Sequence, residues 1–106
     1  MVRKYEDPYG KAFDGGYEVG KLNGITYEQL KKALGKNDGP LNHGENVQWW
    51  LEMDDGTPVT IYDYHPSEYR SRNDITDWWV KSQRAPSPNL LHEVAFEISA
   101  QLADVS

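Results

Sequence analysis

His65 stands two residues after Asp63 and three before Glu68, with Ser67 between, so the first chemistry the chain suggests is a histidine–carboxylate pair beside a hydroxyl nucleophile. Triad members normally converge from separate segments, and adjacency of this kind is ordinary in a charged loop. The favoured reading of His65 is structural or solvent-exposed. His43, His65 and His92 are the three histidines, and no two of them share the i,i+4 or short-loop spacing of a metal-binding pair. With no cysteine there is no thiolate ligand, thiol nucleophile or disulfide. Asp54 and Asp55 resemble an acid/base pair until Gly56 is seen behind them; that order is turn chemistry. The glycines from Gly10 to Gly20 lead into neither a clear strand nor a helix, so they build no phosphate cradle. The expectation is a non-enzymatic protein with no catalytic residue, cofactor or metal, and a small hydrolase is only a distant alternative.

Recognition is better provided for. Four Trp and seven Tyr stand against two Phe, so rings with a polar handle dominate. Trp50, Tyr62 and Tyr64, joined by Trp78 or Trp79 and edged by Gln48, Glu52 and Thr60, would form a surface able to stack a planar ring or centre a protein interface. Arg70, Arg72, Lys81 and Arg84 flank the third strand and would meet a phosphate at the rim of that surface; the competing reading is a solvated charged loop. Overall, 17 Asp+Glu against 11 Lys+Arg give a net charge of −6. That excess disfavours duplex nucleic acid, whose binding needs a basic surface, and favours docking on a basic partner, with Glu52 and Asp63 as candidate interface carboxylates.

These residues need elements to hold them. Thr26, with Gln29 three positions on, reads as a capping box; Ile25 and Leu30 sit where a hydrophobic staple forms, and Gly35 suits the end. A helix over 27–34 follows, with Leu30, Ala33 and Leu34 inward. Residues 47–53 and 58–64 alternate around Asp54-Asp55-Gly56 and predict a hairpin. A three-residue loop with Gly56 as a left-handed bulge pairs Trp49 with Ile61 and gathers Val47, Trp49, Leu51, Met53, Val59 and Ile61 on one face. A two-residue loop would mix apolar and polar residues on both faces, so the first register is preferred. Residues 75–82 read as a third strand, with Trp78 and Val80 on one face and Ile75, Asp77 and Trp79 on the other. Ser87 and Pro88 open a helix to about residue 103, with a stripe of Leu90, Leu91, Val94, Ala95, Ile98 and Leu102. Phe96 lies outside that stripe and is either simply exposed or a subunit contact. The first 24 residues predict at most a short hairpin around Asp14-Gly15-Gly16, and this Gly/Tyr-rich arm could instead cover the aromatic face as a second core layer.

The resulting fold class is α+β, a small antiparallel sheet with helices packed on one face, in a single domain over residues 1–106. No apolar run approaches the roughly 20 residues that span a bilayer, and Met1 to Asp7 does not look like a secretory signal, so a soluble intracellular protein is expected.

The run Thr26-Tyr27-Glu28-Gln29-Leu30 with Leu34-Gly35, then Trp49-Trp50-Leu51-Glu52, Asp55-Gly56-Thr57, Thr60-Ile61-Tyr62-Asp63-Tyr64 and Ile75-Thr76-Asp77-Trp78, resembles a group of small phage-encoded accessory proteins. The likeness spans about residues 25–80, and Trp79 departs from it where a smaller or polar residue is expected. The helix-plus-hairpin part is also similar to modules of β-lactamase-inhibitor-like proteins, which bind partners through an aromatic sheet face. The resemblance implies a counter-defence protein in the cytoplasm of an infected bacterium, free of catalysis and acting as a binder, with a homo-oligomer as a further expectation. It would either sequester a nucleotide-derived immune signal on the rings and arginines or dock as an acidic inhibitor on a host protein.

Overall fold

The computed structural model describes residues 3–4, 16–36, 48–63 and 76–105, of which 3–4 and 104–105 are described by backbone alone. The elements in chain order are β1 (Arg3–Lys4), β2 (Tyr17–Asn23), α1 (Tyr27–Leu34), β3 (Gln48–Glu52), β4 (Pro58–Tyr62), β5 (Asp77–Ser82) and α2 (Leu90–Val105). The strands form one antiparallel sheet in the order β1-β3-β4-β5-β2. Both helices contribute buried side chains to a single core cluster on one face of the sheet, and the fold is α+β.

α1 forms where its capping signals place it. The Gln29 N–H donates to Thr26 Oγ1 at 3.1 Å and the Thr26 N–H donates to Gln29 Oε1 at 2.9 Å, which satisfies two backbone donors reciprocally. Tyr27, Leu30, Ala33 and Leu34 are buried. Two core indoles then hold the helix at both ends. Trp78 Nε1 donates to the Ile25 carbonyl at 2.7 Å, just before the helix, and Trp49 Nε1 donates to the Gly35 carbonyl at 2.9 Å, just after it. Their rings meet edge-on, 5.5 Å apart at 72°, so each buried N–H is satisfied while the ring fills the core.

The β3–β4 hairpin has the three-residue turn. The Met53 N–H donates to the Thr57 carbonyl at 3.0 Å, the Gly56 N–H donates to the Met53 carbonyl at 2.9 Å, and Gly56 has φ +87°. Trp49 pairs with Ile61 and Trp50 with Thr60. Trp49, Leu51, Met53, Val59 and Ile61 are therefore all buried towards the helices. Val47 lies outside the described residues.

β2 is the element the sequence pattern hides. It is the longest strand of the sheet, lies at its edge and pairs with β5. Its register shifts between Glu18 and Gly20, so strict alternation fails across Val19: Glu18 and Lys21 take the outer face while Gly20 and Leu22 take the core face. The Asp14-Gly15 part of the expected N-terminal hairpin lies outside the described residues. α2 begins at Leu90 rather than Pro88, because Pro88 and Asn89 form a turn in which the Leu90 N–H reaches the Ser87 carbonyl at 3.2 Å. Leu90, Val94 and Ile98 are buried, and Leu91, Ala95 and Leu102 pack against the core.

Candidate functional site

Parity sets the outer face. With Trp49 and Ile61 inward, Trp50 and Tyr62 turn away from the helices, and Trp79 joins them because Tyr62 pairs with Trp79 across β4 and β5. One row across the sheet reads Gln48, Tyr62, Trp79, Lys21, and the next reads Trp50, Thr60, Lys81, Glu18. The Lys21 ammonium lies 4.9 Å from the centre of the Trp79 ring, and that of Lys81 lies 5.0 Å from the Tyr62 ring, distances at which a cation is attracted by the ring quadrupole. Lys21 also pairs with Asp77 at 3.4 Å. The three rings are half-buried, while Gln48 and Thr60 on the same face have no exposure, so this face offers partly accessible ring surface beside closed polar positions.

The candidate residues divide accordingly. Trp50, Tyr62 and Trp79 are brought together. Trp78 is not among them: alternation along β5 turns it inward, and with 0 % exposure and its N–H engaged by Ile25 it has no access to a ligand. Asp63 is also corrected. It follows Val59 and Ile61 in the alternation and has 0 % exposure, so its carboxylate is not an interface group. Glu52 is half-buried at the end of β3. Arg84 leaves the aromatic face altogether. The Ser82 hydroxyl donates to the Arg84 carbonyl at 2.7 Å and accepts from the Arg84 N–H at 3.2 Å, which turns the chain at the end of β5 and carries the guanidinium to the tip of the β3–β4 hairpin. Tyr64, Arg70 and Arg72 lie outside the described residues, as do His43, His65, Ser67 and Glu68. Lys21 was not among the candidates because β2 itself was hidden by its bulge.

A second feature lies at the hairpin tip. A cleft of about 530 Å³ opens between the β3–β4 turn, the connection from β5 and the first two turns of α2. Met53, Pro86 and Leu90 supply apolar lining; Asp54 and Asp55 stand on the turn side, and Glu93 and Glu97 on the helix side. The Asp55 carboxyl is held below its ordinary value, first by its hydrogen bonds with Thr57, whose N–H donates to Oδ1 at 3.0 Å, and further by the Arg84 charge. Phe96, also on the lining, is 66 % exposed. A smaller opening beside Lys21, Ile25 and Leu91 shares His92 with this cleft. Trp50, Tyr62 and Trp79 line neither. Among the described residues no group of three His, Asp or Glu is placed to hold a metal ion, and no helix is long and apolar enough to cross a membrane.

No protein-family model matches this chain, and comparison with curated proteins returns no similar sequence.

Proposed function

We propose that this chain is a non-enzymatic binding protein of the phage accessory type, which blocks a host function, antiviral defence being the function its sequence resemblance suggests. The observation that carries the reading is the aromatic layer on the sheet face away from the helices, with Lys21 and Lys81 each within about 5 Å of a ring. A nucleotide-derived signal offers a planar base and phosphates together. Ring surface at Trp79 and Tyr62 suits the base, and the two ammonium groups suit the phosphates, while Arg84 lies at the hairpin tip. Lys21 would then exchange the Asp77 carboxylate for a phosphate.

That exchange makes the test sharp. Indole fluorescence should be quenched by a member of a panel of cyclic dinucleotides and ADP-ribose derivatives. Trp79→Ala should abolish the response, and Asp77→Asn, by releasing Lys21 from a partly exposed pair, should tighten binding by roughly two- to fivefold, corresponding to about 0.5–1 kcal/mol. A silent panel, or Asp77→Asn weakening the interaction, would remove the nucleotide reading. Net charge supports the second reading, an acidic inhibitor docked on a host protein.

A further inference from the structure

We infer that the cleft at the hairpin tip is a docking site for a basic peptide segment carrying one apolar anchor, presented by a partner protein. The inference is independent of the aromatic face and gives the second reading a place on the molecule.

Three features of the cleft select this occupant. The first is charge: among the described residues the lining carries four carboxylates, Asp54, Asp55, Glu93 and Glu97, against the guanidinium of Arg84 and the imidazole of His92, and Arg84 is already drawn to Asp55. An anionic ligand is repelled here, whereas lysines and arginines find opposite charge on both walls. The carboxylates come from two walls and do not converge as a metal site among the described residues, so their complement is a string of cations rather than one ion. The second feature is apolar surface. Phe96 at 66 % exposure is the most exposed large hydrophobic residue described, although the Leu90, Val94 and Ile98 stripe of the same helix is buried. With Met53, Pro86 and Leu90 it gives an apolar side chain something to bury against, in the manner of an anchor surrounded by a polar rim. The third is size. A space of about 530 Å³ exceeds what one side chain fills and suits a few residues of a peptide.

The probe is a fluorescein-labelled peptide of about twelve lysines and arginines around one leucine, compared with a version in which glutamates replace the cations and another in which serine replaces the leucine. Anisotropy titrations should show the basic peptide binding at least about tenfold tighter than either control. Phe96→Ser, and the pair Glu93→Lys with Glu97→Lys, should each reduce that binding by about tenfold or more. Circular dichroism checks the fold of both variants. Backbone amide shifts in the unmodified protein supply a readout independent of them, and should cluster at residues 54–57 and 90–97. Equal binding of the basic and acidic peptides, or shifts confined to β2 and β5, would overturn the proposal. So would self-association of the free protein that Phe96→Ser abolishes, because the occupant would then be a second copy of the chain.

Discussion

Asp55 shows how a residue that looks chemical can be structural. Its Oδ1 accepts the Thr57 N–H and its carboxyl titrates below the ordinary 3.8, chiefly because the Thr57 hydrogen bonds prefer the charged form. A lowered folded value means that the contribution to stability is fully present above the unfolded value and is lost as pH falls through the folded one. Asp55→Asn keeps a side chain able to make the same turn without the charge, so it should melt below the unmodified protein at neutral pH. The two melting curves should converge in strong acid, once the pH lies below the lowered folded value and the carboxyl is neutral in both states. A gap that does not change with pH would mean that the charge at Asp55 plays no part. The adjacent Trp78 and Trp79 carry the corresponding lesson for the site. The pattern on β5 already set Trp78 with Val80 on one face and Trp79 on the other. Which indole met solvent depended on which face the helices covered, and that depended on the parity of a turn more than twenty positions earlier.

At the scale of elements, local signals were legible wherever one short segment contained its own stop and start. α1 was bounded by Thr26, Gln29 and Gly35, and the hairpin by Asp54-Asp55-Gly56; the helix formed with the expected bounds and the hairpin with the expected register, its strands running over Gln48–Glu52 and Pro58–Tyr62. β2 was not legible, because a bulge breaks its two-residue period and its hydrogen-bonding partner, β5, lies more than fifty residues away. The hairpin register rests on Gly56, whose φ of +87° an L residue with a Cβ adopts only under strain. Its position has room, since an added Cβ would come no nearer than 3.8 Å to the Arg84 guanidinium, so the cost of a substitution is conformational rather than steric. Gly56→Ala should therefore lose roughly 1–2 kcal/mol in urea denaturation with an unchanged slope. Gly56→Asn should lose less, because asparagine tolerates the left-handed region better. Equal stability of the alanine variant and the parent would show that the turn does not depend on that conformation.

The whole molecule sets two of these surfaces against the same net charge. Its extents are 36 × 33 × 27 Å, and at about 0.01 M salt the screening length is roughly 30 Å, so an approaching ligand feels nearly every charge on the protein. At about 0.1 M that length falls to roughly 10 Å, and only the local surface counts. A nucleotide approaching Lys21 and Lys81 at low salt is therefore opposed by the excess of six negative charges, and that opposition fades as salt is added while the nearby ammonium groups still act. Its affinity should rise between about 0.01 and 0.1 M and then level or fall. A basic peptide at the cleft has attraction at both ranges, from the net charge and from Asp54, Glu93 and Glu97, so its affinity should fall throughout the same series. Isothermal titrations at four or so salt concentrations between these limits check both curves. Nucleotide affinity that declines from the lowest salt upward would mean that local cations outweigh the molecule's net charge even at long range, which the ion pair between Lys21 and Asp77 argues against.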